Sequence, residues 1–214
     1  MYLSSQDQRW YRLAFALAIL TVVYNLLEGL VSVWFGVADE SLTLFGFGLD
    51  SFIEMISGLG ILAMVLRIWR HPGAPKGRFE KTALQITGTG FYGLTAILSV
   101  MALYNLSTQH KPETTLAGLI IALISISLMW LLIHYKTQAG VALGSEAILA
   151  DAKCARVCMY MSGLLLLSSL IYSLSGIWFV DSLGALGLAY LSFTEGREAF
   201  AKANGAECGC HTVS

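Results

Sequence analysis

Apolar residues fall into six long runs separated by short polar punctuation. The runs are about Leu13–Gly36, Leu42–Trp69, Thr82–Leu106, Leu116–Ile133, Val141–Tyr172 and Ile177–Ala199. A bilayer core about 30 Å thick takes roughly 20 residues of α-helix, so each run is long enough to cross it. The pattern predicts an all-α, polytopic membrane protein with six transmembrane helices. The connections ADES, HPGAPKGRFEK, STQHKPETT and HYKTQAG are predicted as loops. The fifth run exceeds a simple perpendicular span and is expected to tilt or to extend beyond the bilayer. The first run follows a polar N-terminus without a cleavage-site pattern, so it reads as a retained span. Residues 1–204 are predicted as one six-span unit and 205–214 as a short Cys- and His-containing cytoplasmic tail.

Polar residues inside the runs are few and ordered. Thr21, Asn25 and Glu28 stand at i, i+4 and i+7, one stripe facing a bundle interior. Thr87, Gly88, Thr89, Gly90 and Gly93 form a small-residue cluster that lets helices approach closely. In the second run Asp50 and Glu54 are four residues apart, one turn above each other on one helix face. A bare charge at a spanning helix's centre costs about 2.5–3.5 kcal/mol on the insertion scale, so two acids there imply a cationic partner.

Composition agrees with the bilayer reading. Of 214 residues, 56% are apolar and 13% charged, and mean hydropathy is +0.68. A soluble domain carries about 25% charged residues. The net charge of −1 conceals an asymmetry. Arg9, Arg12, Arg67, Arg70, Lys76, Arg78, Lys81, Lys136, Arg197 and Lys202 fall at one end of a six-span topology, and Lys111 alone at the other. The positive-inside rule then puts both termini in the cytoplasm.

The fifth run holds Cys154 and Cys158, again four apart, together with Glu146, Asp151, Lys153 and Arg156. Two thiols on one helix face and two carboxylates on another would supply four donors if the helices crossed face to face. Four donors in tetrahedral array suit Zn²⁺, and sulfur shifts preference towards thiophilic ions and away from Mg²⁺ and Ca²⁺. The bland alternatives are thiols acting as apolar filler and carboxylates paired with Lys153 or Arg156. Thiols at i, i+4 on a regular helix do not form an easy disulfide, which disfavours redox chemistry. The sequence has no P-loop, G-x-S-x-G or H-E-x-x-H motif, and the expected class is not an enzyme. In the tail, Glu207, Cys208, Cys210 and His211 form a second candidate capture group for a soft ion.

These residues resemble the cation diffusion facilitator family. The segment SLTLFGFGLDSFIE, residues 41–54, is similar to that family's second-span signature, and AILADAKCARVC, residues 147–158, to its fifth. On that resemblance Asp50, Glu54, Cys154 and Cys158 take the four metal-ligand positions. Glu28, Asp151 and Asp181 fall at further acidic positions suited to a secondary metal or proton path. Glu replaces Asp at position 54, and sulfur replaces His and carboxylate on the fifth span. The family's usual soluble domain after the sixth span is not expected here, where the chain resembles the members that consist of the membrane domain only. The resemblance implies a homodimeric metal/proton antiporter in a membrane, the bacterial inner membrane being the expected one. Its partners would be the metal ion, protons and lipid, with no nucleic acid and no prosthetic group. The transported ion would be zinc, cadmium or another thiophilic divalent cation, exported from the cytoplasm. The reading from a different class is a non-transporting membrane scaffold or partner subunit with structural acids.

Overall fold

The computed structural model describes residues 5–70, 78–113 and 115–204. Six helices account for nearly all of them: α1 (Ser5–Ala38), α2 (Leu42–Arg70), α3 (Arg78–Thr108), α4 (Leu116–Leu143), α5 (Glu146–Ser175) and α6 (Val180–Ala203). No strand occurs among the described residues. Helices α1 to α5 each contain a stretch long and apolar enough to cross a membrane. The chain is therefore an all-helical, multi-pass membrane protein. Helix α6 falls short of that measure among the described residues; its 24 residues include Asp181, Glu195, Arg197, Glu198 and Lys202. The tail group Glu207, Cys208, Cys210 and His211 lies outside the described residues.

Several predicted boundaries move: α1 begins at Ser5 and not about Leu13, and residues 78–81 of the expected loop HPGAPKGRFEK already belong to α3. The expected loop HYKTQAG is helical, and α4 runs on to Leu143. Nothing in those seven residues stops a helix: there is no proline, and Gly140 serves packing instead. A Cβ on Gly140 would sit 2.7 Å from Leu149 Cδ2, so the glycine permits α4 and α5 to approach. The actual stop is Gly144, in left-handed conformation at φ 56°, with its N–H directed at the Gly140 and Val141 carbonyls. Only glycine adopts that geometry without penalty. The fifth helix consequently starts at Glu146, not Val141, and its 30 residues are of ordinary length for this bundle.

Helices pair in sequence and across it. α1 packs most extensively on α2, α3 on α6 and α4 on α5, while α2 also meets α3, α5 and α6. Small residues set the closest contacts. A Cβ on Gly36 would fall 2.5 Å from the Phe45 nitrogen, and one on Gly48 2.7 Å from the Val33 nitrogen, so backbone meets backbone along α1 and α2. The glycines of the third run divide: Gly88 packs on Phe200 and Gly196 of α6, Gly90 on Ile53 of α2, and Gly93 faces open space. The central core joins Leu44, Phe47, Leu98, Met161, Leu165 and Leu188, from four helices. Trp34, Trp130, Leu174 and Tyr190 stand outward, on surfaces a bilayer would cover.

The two ends of the bundle differ. At the end holding the α1–α2, α3–α4 and α5–α6 turns, polar groups are interlocked. The Asp181 carboxylate accepts from the Ser41 hydroxyl at 2.7 Å, the Leu42 N–H at 2.7 Å and the Thr43 N–H at 3.3 Å, and Thr43 Oγ1 donates to the Asp181 carbonyl. Thr115 donates to the Ser169 carbonyl, Tyr172 to the Pro112 carbonyl and the Glu113 N–H to the Asp39 carbonyl. The opposite end is hollow.

Candidate functional site

A cavity of about 730 Å³ occupies that hollow end. Its walls come from the middle of α1, the middle and second half of α2, the first half of α3, the second half of α4, the first half of α5 and the end of α6. Those segments lie towards the end of the bundle that holds the start of α1, the end of α2, the start of α3 and the α4–α5 turn, the helix ends that carry Arg9, Arg12, Arg67, Arg70, Arg78 and Lys81. Lys153 and Arg156 line the cavity and are exposed, which connects it to the outside of the bundle.

At its inner reach stands Glu54. The carboxylate is held from two sides. Its Oε1 accepts the Cys158 thiol hydrogen, and its Oε2 accepts from Asn25 Nδ2 at 3.3 Å. Three helices, α1, α2 and α5, thus converge on one acid. The sequence has it so because each contributor sits on the buried stripe of its helix: Asn25 is 1% exposed, while Glu54 and Cys158 are half-buried because the cavity, not protein, covers their remaining side. In apolar surroundings a carboxylate needs such donors, since each uncompensated charge or polar group is costly.

The predicted four-donor set comes together only in part. Glu54 and Cys158 touch. Cys154 lines the same cavity but accepts from the Lys202 ammonium at 3.1 Å. Asp50 is 2% exposed, does not line the cavity, and has its Oδ1 buried without a hydrogen-bond partner. No group of three or more His, Cys, Asp or Glu side chains is gathered in metal-holding geometry among the described residues.

The further acidic positions take distinct places. Glu28 is buried behind the cavity, accepting from the Tyr24 hydroxyl at 2.6 Å and the Ser51 hydroxyl at 3.1 Å. Asp151 lines the cavity and is ion-paired with Lys136 at 3.0 Å, not with Lys153. Asp181 lies at the opposite, interlocked end, where the start of α2 occupies its carboxylate. Lys136, counted among the loop cations, is only 2% exposed and belongs to α4. With Lys202, which also turns inward, two of the ten counted cations leave the set, and the asymmetry keeps its sign.

Sequence reasoning placed Asn25 on a polar stripe without assigning it a partner, and took Lys202 as a loop charge. Lys202 instead reaches inward to Cys154 and to Glu198 at 2.8 Å, and Glu195 also lines the cavity. The available signal was position: Glu195, Glu198 and Lys202 share a face of α6 at helical spacing, continuing its buried row of Ser192, Gly196 and Ala199.

No protein-family model matches the chain. The chain is similar to transmembrane protein 163 of Xenopus laevis, being 28% identical over 194 residues that cover 88% of this chain and 67% of that protein.

Proposed function

We propose that the chain carries a thiophilic divalent cation, zinc or cadmium in class, across a membrane in exchange for protons. The metal site would be drawn from Glu54, Cys158, Cys154 and Asp50. One observation carries this reading: a thiol hydrogen from α5 is held against a carboxylate from α2 at the inner reach of an open cavity. A thiol and a carboxylic acid bind either protons or metal, because the ligating forms are thiolate and carboxylate. A cation arriving from the cavity would take the thiol's place on Glu54 and release its proton. Protons returning to the same atoms would expel the cation. Exchange follows once the site faces each side alternately.

The difference between the two ends supports that scheme. One end is hollow and reached past basic residues; the other is closed by the Asp181 hydrogen bonds. That is the arrangement expected of a carrier open to one side, and the positive-inside rule favours the cytoplasm as that side. In this proposal α6 completes a six-span unit, its small-residue face packed on α3 and its charged residues placed at the hollow end. The family resemblance supports homodimeric assembly and export as the direction.

The test is flux in proteoliposomes carrying a metal-sensitive dye inside and a pH reporter. Wild-type protein should move Cd²⁺ or Zn²⁺ with opposite proton movement. Cys158→Ser and Glu54→Gln should each reduce that flux at least tenfold. Wild-type vesicles that match empty ones would leave the scaffold reading standing.

A further inference from the structure

Asn25 has two polar atoms and the structure uses one of them. Its Nδ2 donates to Glu54 Oε2 at 3.3 Å, while its Oδ1 is buried without a hydrogen-bond partner among the described residues. The side chain is 1% exposed and lines the cavity with Glu54 and Cys158. A buried amide oxygen without a donor is costly, and a site that keeps one commonly has a use for it. An amide oxygen is a hard neutral donor and binds cations readily. It is fixed on α1, outside the two helices that carry the other candidate ligands.

Resting on the proposed transport reading, we infer that Asn25 Oδ1 is itself a ligand, joining Glu54 and Cys158 around the cation. The mixed set is then a carboxylate oxygen, a thiolate sulfur and an amide oxygen from three helices. Rotating the Asn25 amide about its last torsion exchanges Nδ2 for Oδ1, which requires no backbone movement. With the site empty, Nδ2 steadies the Glu54 oxygen. With a cation present, Oδ1 turns towards the metal. Cation binding would thereby tie α1 to the α2–α5 pair through the metal.

A ligand and a mere hydrogen-bonding support are told apart by two variants. Asn25→Leu removes both polar atoms at nearly constant shape. Asn25→Asp removes the Nδ2 donor and keeps an oxygen in the Oδ1 position. Cd²⁺ binding to the purified full chain in detergent is measured by titration calorimetry, with chromatographic elution and helical content checked for each variant. Wild type should bind Cd²⁺, Asn25→Leu about tenfold more weakly, and Asn25→Asp at least as tightly as wild type. Equal affinity of wild type and Asn25→Leu overturns the assignment. So does an Asn25→Asp variant as weak as Asn25→Leu, the outcome for a residue that only steadies Glu54; this arm decides alone if Asn25→Leu does not fold. A wild-type chain that binds no Cd²⁺ overturns the transport reading and this assignment together, whereas the two variant outcomes strike the assignment alone.

Discussion

The ammonium of Lys202 lies 3.1 Å from the thiol sulfur of Cys154. Lys202 stands near the end of α6 and is also ion-paired with Glu198 one turn back. It places a tethered positive charge on a sulfur that the proposed function assigns to a mobile one. Lys202→Met should therefore relieve competition at Cys154. A charge-assisted hydrogen bond contributes about 1.5–3 kcal/mol, and about 1.4 kcal/mol is a factor of ten in affinity. We expect Cd²⁺ to bind about tenfold more tightly to the variant in titration calorimetry. Unchanged binding would show that the ammonium and the metal do not compete.

Lys136 and Asp151 make a second ion pair, joining α4 to α5 with the lysine 2% exposed. Removing one member strands the other charge in a poorly hydrated place, which costs about 3–5 kcal/mol. Lys136→Met and Asp151→Asn should each lower the unfolding temperature in detergent by several degrees. The double variant should recover most of that loss, since an uncharged pair leaves nothing stranded. Additive losses would mean that the two charges act independently.

Asp181→Ala should destabilise the protein through the start of α2. The carboxylate satisfies the Ser41 hydroxyl and the N–H groups of Leu42 and Thr43, donors that no earlier turn of α2 can satisfy. Loss of a helix cap alone costs about 0.5–2 kcal/mol, and leaving several buried donors unpaired adds to it. Asp181→Asn keeps an acceptor and should recover part of the loss. Thermal unfolding at fixed detergent measures both; an alanine variant as stable as wild type would contradict the capping role.

Asp39, in the turn between α1 and α2, gives a pH dependence. Burial, and then the neighbouring Glu113 charge, raise its pKa above the ordinary carboxylate value. The folded state then holds its proton more firmly than the unfolded state. Stability from this group is complete below the unfolded carboxylate range, about 3.9, and declines as pH rises towards the raised folded value. Asp39→Asn should therefore stabilise the protein at neutral pH and make no difference below about pH 3.5. Unfolding temperature as a function of pH, wild type against variant, checks it; a variant less stable at neutral pH would reverse the sign.

Gly48→Ala contrasts with Gly93→Ala. A methyl group on Gly48 meets the Val33 backbone nitrogen at 2.7 Å, whereas one on Gly93 meets nothing within 4 Å. The first should cost about 1–3 kcal/mol by overpacking. The second should be neutral or slightly stabilising, because alanine is the better helix former. Equal unfolding temperatures would argue against so close a seating of α1 on α2.

Much of this arrangement is legible in the chain itself. Long apolar runs predict helices, and of the two intramembrane acids Glu54 falls in the candidate site while Asp50 does not; both signals are local, periodicity and the cost of charge in lipid. The boundary between α4 and α5 is not legible in that way. A polar heptapeptide with a glycine looks like a loop, yet whether Gly140 ends a helix or seats a neighbour depends on Leu149, which only packing brings beside it. The same limit applies at the site. The i, i+4 spacings put two acids on one face and two thiols on another. They do not say that Glu54 meets Cys158 while Cys154 turns to Lys202, since those contacts depend on helix rotation and side-chain length. Lys136 misleads for a related reason: a lysine near a predicted helix end reads as a loop cation until its partner across the helix pair is known.

The Asp181 contacts also bear on how such a bundle could move. Because the first turn of α2 is fastened to the beginning of α6, these helices cannot separate at that end without stranding a buried carboxylate and its donors. Glu54 near the middle of α2, and Lys202 near the far end of α6, are thus carried on arms that share one fulcrum. Opening there would have to re-house all of those polar groups in water, so under the proposed exchange entry of water beside Asp181 would mark the change of state, separately from anything that happens at the proposed ligands.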